Sequence, residues 1–97
     1  MKFEWDEAKN RSNFEKHGFD FSDADIVLNG TCVTWVDSRF KYGEERLIAL
    51  GPLRGRLVVI AHVVRGDTVR IISMRKANSR EQADYKERLS KNRPHDG

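Results

Sequence analysis

Hydrophobic and polar positions change rhythm twice along this 97-residue chain. Met1 to Trp5 alternates as a short strand does. Asp6 then precedes a polar segment running to His17, with Glu7 in its first turn, Lys16 and His17 in its last, and Gly18 placed to stop it. Each of these suits the end of the helix dipole it occupies, and glycine takes the left-handed conformation that ends helices. This first helix has few apolar anchors and is expected to lie on the surface. A second helix is predicted at once: Ser22 with Asp25 resembles a capping box and Phe21 with Ile26 a hydrophobic staple. Phe21, Ala24, Val27 and Leu28 line one face of it, and Asn29-Gly30 ends it.

From Thr31 the period becomes two. Cys32 to Val36 reads as a strand ending at Asp37-Ser38, followed by a polar loop from Arg39 to Glu44. Arg46 to Leu50 is the next strand, expected to break at Gly51-Pro52-Leu53-Arg54-Gly55. Leu57 to Val64 is a continuous apolar strand, and Arg65-Gly66-Asp67 turns it into the last, Val69 to Met74. Turns this short imply an antiparallel meander, which the amino-terminal strand could extend. Asn78 or Ser79 caps a final helix, with Glu81 or Gln82 at the reciprocal position. The class is therefore α+β: a small antiparallel sheet with two helices before it and one after. The leading helices can cover one face of the sheet. The other is then partly open or covered by the final helix, and there a ligand could lie.

Composition narrows this without redirecting it. With 38% apolar and 34% charged residues the chain fits one domain over residues 1–91, and the tail Asn92–Gly97 is expected to be disordered. No run reaches the ~20 apolar residues of a membrane span, and the amino terminus has no signal-peptide core, so a cytoplasmic protein is expected. Cys32 is the one cysteine and reads as a buried strand residue. No Cys/His cluster has metal-ligand spacing, so neither metal nor cofactor is expected. Charge is uneven: residues 1–30 carry four Lys/Arg against seven Asp/Glu, residues 31–97 fourteen against eight. A basic face suited to phosphate, or to an acidic partner, follows.

Several side chains could carry chemistry, each with a plainer reading beside it. His17 is a favourable helix stop or a site residue. His62 lies among aliphatic residues and must find a hydrogen-bond partner or reach water. Glu44-Glu45 is a solvated loop or an acid/base pair. Strand alternation groups Val69, Ile71, Ser73 and Arg75 on one face of the last strand, which makes Arg75 a residue of the core or groove row. Arg46 begins a neighbouring strand, and two arginines with a histidine on one face would suit a phosphodiester. Tyr85 pairs with Leu89 one helical turn on, so it packs inward with its hydroxyl free to reach a partner. The glycines of residues 51–55 lack the context of a P-loop, and Ser73 has no nucleophile arrangement around it.

Three ordered blocks, FEWDEAKNRSNFEKHGFDFSDA (Phe3–Ala24), GEERLIALG (Gly43–Gly51) and VRIISMRKANSREQADY (Val69–Tyr85), resemble the BrnT family of bacterial toxins over about residues 3–90. The resemblance implies a RelE-like fold and the toxin half of a type II toxin–antitoxin pair. Such a toxin would be a metal-independent endoribonuclease that arrests translation. A BrnA-type antitoxin would neutralise it as a hetero-oligomer, and operator DNA would be bound only through that complex. By the same likeness, Arg75 at the end of the last strand and Tyr85 on the final helix match positions that RelE-like nucleases use. Arg75 and Arg46 would stabilise charge on the phosphoryl oxygens as the 2′-hydroxyl attacks. His62 or His17 would be the general acid/base and Tyr85 would position a base. Lys76, Arg70 and Arg80 are neighbouring cations available for RNA contact. Many RelE relatives rely on lysines, whereas this chain has none between Lys41 and Lys76. The alternative from another class is a non-catalytic RNA- or protein-binding module acting by occupancy.

Overall fold

In the computed structural model, residues 1–38 and 43–91 are described. The tail expected at residues 92–97 and part of the polar loop, residues 39–42, lie outside them. The order is β1 (Lys2–Glu4), α1 (Glu7–His17), a 3₁₀ turn (Phe21–Asp23) running into α2 (Ala24–Leu28), β2 (Val33–Val36), β3 (Leu47–Leu53), β4 (Arg56–Arg65), β5 (Thr68–Lys76) and α3 (Ser79–Lys91). The class is α+β, with two helices before the meander and one after. The strands form one sheet in the order β1-β5-β4-β3-β2. The meander is antiparallel as expected, but β1 joins β5 in parallel, so the sheet is mixed.

Each sheet face has its own core. Phe19, Phe21, Ala24 and Val27 pack with Ala49, Val58, Ile60, Val69, Ile71 and Met74 on one side. On the other, Ile48, Leu50, Val59 and Ala61 meet Tyr85 of α3, with Trp35, Ile72 and Leu89 half-buried against them. Both faces of β3 and β4 are thus covered, which is why those strands read as continuous apolar runs.

The strand break expected at Gly51 does not occur. β3 continues to Leu53, and only Arg54-Gly55, at φ 48° and 85°, form the turn to β4. Two successive residues at positive φ give the hairpin geometry whose twist matches the strands. Pro52 is tolerated because β2 pairs with β3 only as far as Leu50, so no neighbouring strand needs its missing N–H. Gly51 is required by closeness: a Cβ there would lie 2.8 Å from Cys32 Cβ and 3.2 Å from Val27 Cγ1. Cys32 itself is half-buried and precedes β2, where a buried strand residue had been expected.

The helices differ in what holds them. α1 buries only Asn10 and Asn13, so its surface position is as expected but polar groups anchor it. β1 pairs with β5 no further than Arg70. Beyond it, Asn13 donates from Nδ2 to the Met74 carbonyl at 2.9 Å and accepts from the Met74 N–H at 3.3 Å, as a partner strand would. One turn earlier, Asn10 accepts from the Phe21 N–H at 2.9 Å and donates to Asp20 Oδ1 at 3.2 Å. That oxygen also takes the Ser22 N–H and hydroxyl, and these bonds hold the Asp20 carboxyl below the usual carboxylate range. Asp20 thus does the capping expected of the Ser22–Asp25 pair. Phe21 is buried while Ile26 is 44% exposed, so the expected staple does not form.

Replacing Asn13 strands a buried N–H and a buried C=O of Met74 together. Asn13→Ala should lower unfolding free energy by about 2–3 kcal/mol, the cost of leaving such groups unmet, as read by urea denaturation. Lys16→Ala, on the same helix but exposed, should change it by under ~0.5 kcal/mol.

Candidate functional site

The site is decided by a defect in β5. Pairing with β4 runs Ala61↔Ser73 and then His62↔Ile71, which leaves Ile72 as an extra residue. A β-bulge of this kind shifts the side-chain alternation by one. Val69 and Ile71 face the α1/α2 core, but so does Met74, and Arg75 is turned to the opposite face beside Val59, under α3. The expected grouping of Arg75 with Val69 and Ile71 is therefore corrected: period two does not persist through the bulge.

On the α3 face, Arg75 lines a cleft of about 230 Å³ with Trp35, Val36, Asp37, Ser38, Ile48, Val59 and Glu81. Its guanidinium makes a two-pronged pair with Glu81, Nη1–Oε1 at 2.8 Å and Nη2–Oε2 at 2.7 Å. Such a fork fixes the guanidinium plane as well as its position. Glu81 is fixed in turn by the cap of α3. Its Oε1 accepts the Asn78 N–H at 2.9 Å while Asn78 Oδ1 accepts the Glu81 N–H at 2.8 Å, the reciprocal capping box expected here. Asp37 is 7% exposed, and its N–H donates to the Arg46 carbonyl at 2.8 Å, which puts Arg46 at the same end of the sheet. Sequence reasoning missed Glu81, Asp37 and Trp35 as site residues. Glu81 was visible, but only as a cap, and nothing in a strand-end aspartate shows that it will be buried.

The other candidates lie elsewhere. His62 is 4% exposed and pairs with Leu47 and Ile71, so it points to the α1/α2 side and is not brought to Arg75. Its Nδ1–H donates to the Ile60 carbonyl at 3.3 Å, and burial pushes its pKa down. Tyr85 is 7% exposed and donates its hydroxyl to the Thr31 carbonyl at 2.7 Å, so it spends both ring and hydroxyl inside the molecule. Burial raises its pKa, which keeps it a donor. Trp35 is the aromatic at the cleft, with the Arg88 guanidinium 5.0 Å from its ring centroid. Arg70 pairs with Glu4 at 2.7 Å on β1. Lys76 and Arg80 are exposed at the strand tip and first turn of α3. His17 lies at the end of α1, in a second groove beside the edge of β5. Among the described residues no three His, Cys, Asp or Glu are grouped to hold a metal ion.

The family described as "Ribonuclease toxin, BrnT, of type II toxin-antitoxin system" matches residues 5–81, about four-fifths of the chain. The chain belongs to the BrnT family. No curated protein matches it significantly. BrnT membership gives a ribonuclease toxin whose target is RNA and whose partner is an antitoxin. The matched span contains Arg75 and Glu81 and stops before Tyr85. Among the described residues no helix is long and apolar enough to cross a membrane.

Two expectations test these placements. His62 has its pKa depressed below the ordinary 6.5, so the unfolded chain binds the proton more readily. Its contribution is complete above about pH 6.5 and is lost as pH falls below that value, giving stability that rises with pH there. His62→Gln should flatten this slope in urea denaturation between pH 5 and 7. Tyr85→Phe should cost about 1–2 kcal/mol by leaving the Thr31 carbonyl without its donor, as read by the same method.

Proposed function

We propose that this BrnT chain is a metal-independent endoribonuclease that arrests translation by cutting RNA in the α3-face cleft. The observation that carries this reading is the Arg75–Glu81 fork: a cation and a carboxylate held together at an opening lined by an aromatic ring. A phosphate oxygen pair fits the fork that Glu81 now occupies. When phosphate takes it, Glu81 Oε2 is released while Oε1 stays on the Asn78 N–H. The freed carboxylate then accepts the proton of the 2′-hydroxyl. That oxygen forms a bond to phosphorus as the bond to the 5′-oxygen breaks, giving a cyclic phosphate and a 5′-hydroxyl protonated from solvent. Arg75 stabilises the charge that builds on the non-bridging oxygens, with Arg46 at the same end of the sheet as a second source of positive potential. Trp35 offers the ring for a neighbouring base, the role first expected of Tyr85.

The reading moves general-base duty from His62 to Glu81, because a nearly solvent-free histidine on the other face cannot reach a substrate in this cleft. His17 lies in the second groove and takes no proton-transfer role here. Neutralisation would come from a BrnA-type antitoxin in a hetero-oligomer, with operator DNA met only through that complex.

Induced expression of wild type, Arg75→Ala and Glu81→Gln, with growth and RNA integrity followed, tests the proposal. Wild type should arrest growth and fragment RNA. Each variant should lose about 10²-fold or more of the cleavage, as removal of an oxyanion-stabilising group does. Glu81→Gln keeps an acceptor for the Asn78 N–H, and circular dichroism should show both variants folded. Full cleavage by Arg75→Ala would remove the site, and arrest without fragmentation would favour action by occupancy.

A further inference from the structure

The second groove lies along the edge of β5 that β1 leaves open, where α1 passes the strand. It has a volume of about 280 Å³ and is lined by Lys9, Ser12, Asn13, Lys16, His17, Ile72 and Ser73. Residues 9, 12, 13 and 16 form one stripe of α1, and Asn13's two bonds to Met74 set that stripe along the strand. Lys9 and Lys16 are seven residues apart, about 10 Å along the helix, a span of one to two nucleotides of extended single strand. No carboxylate lines the groove.

Its two lysines are also outside the ion pairs that occupy five other cations of the molecule. Arg54, Arg65, Arg70, Arg75 and Lys91 each face a carboxylate at ion-pair distance. Among the described residues Lys9 and Lys16 have no such partner. Exposed Lys76 and Arg80 follow along the tip of β5 and into α3. Ser73 lies two residues before Arg75, about 7 Å along the strand, roughly the length of one nucleotide step. Both follow the bulge at Ile72 in regular pairing, Ser73 opposite Ala61 and Arg75 opposite Val59, so they share the α3 face of the strand.

We propose that the α1 groove binds the phosphate backbone of single-stranded RNA flanking the bond to be cut, with Lys9 and Lys16 on successive phosphates and Ser12, Ser73 and His17 as hydrogen-bond partners. This rests on the reading that RNA is cut at the Arg75–Glu81 cleft. RNA is favoured over a protein partner because the lining is cationic and hydroxylic, with half-buried Ile72 as its single aliphatic residue. The groove makes the substrate a strand of several nucleotides wrapped around the β5 tip rather than an isolated dinucleotide.

The test uses the full chain and a fluorescein-labelled 2′-O-methyl RNA 12-mer, which has no 2′-hydroxyl to attack and so reports binding alone. Lys9→Gln/Lys16→Gln should weaken binding at least tenfold at moderate salt. It should also lower the slope of log affinity against log salt by about 1.4, two phosphates at ~0.7 each for a single strand. Lys9→Arg/Lys16→Arg should restore both, and Lys86→Gln, on exposed α3 surface, should change neither. Unchanged affinity and slope in the glutamine pair would overturn the proposal, as would failure of the folded wild type to bind the 12-mer. Unchanged RNA binding with weakened antitoxin binding would assign the groove to the protein partner instead. Because the probe is not cut, these outcomes are independent of whether Arg75→Ala and Glu81→Gln still cleave RNA.

Discussion

Much of this structure depends on an amide that behaves as a strand. β1 supplies β5 with a partner for only three residues, and the edge beyond would otherwise be open. Asn13 places both a donor and an acceptor against Met74, and Asn10, one turn back, fastens the chain where it enters the Phe21 turn. A helix with no apolar stripe cannot be held by burial of hydrocarbon, so directional bonds in a dry setting hold it instead. Those bonds fix where Phe19 and Phe21 enter the core, and they fix the row of lysines along the β5 edge. Stability and the second groove therefore share one cause.

The bulge at Ile72 is the other constraint. Without the extra residue, Arg75 would point into the α1/α2 core, where a guanidinium would have to be buried among Phe21, Val58 and Ile60. With it, Met74 takes the core position and Arg75 reaches the α3 face, where Glu81 meets it. One inserted residue thus keeps a strand apolar on its covered side and cationic at its tip. Bulges recur beside functional sites because they re-aim a side chain without ending the strand.

These two features show which parts of the molecule were legible in the sequence. The meander was, because period two and short turns leave little choice of topology. The Gly18 stop and the Asn78–Glu81 cap were as well, since each rests on contacts within a few residues: Gly18 takes φ 79° and the cap forms both reciprocal bonds. The bulge was not, because one extra residue inside an apolar run changes no local preference and appears only in the register with β4. The asparagine latch was hidden for a similar reason. Asn13 looks like a solvated helix residue until a sheet edge 61 positions away is known to need it, and Asn10 until the Phe21 turn folds back onto it. Pro52 misled in the same way, since its tolerance depends on where β2 stops. Local chemistry could be read, and chemistry set by distant pairing could not.

The site joins both kinds. Glu81 stands at the third position of α3, where the positive end of the helix dipole and the Asn78 N–H hold a carboxylate whether or not Arg75 does. Arg75 is brought there by non-local pairing and a bulge. Their bridge leaves Arg75 two-fifths exposed, a setting in which solvent screens the attraction and an anion of matching geometry can compete for the fork. A phosphate that takes Arg75 therefore does not unseat Glu81, because the cap retains it. The cation is pre-oriented by a partner it can exchange, and the carboxylate is retained by a helix end it need not leave. Under the proposed function, that asymmetry would let a structural ion pair become a reacting pair when the substrate arrives.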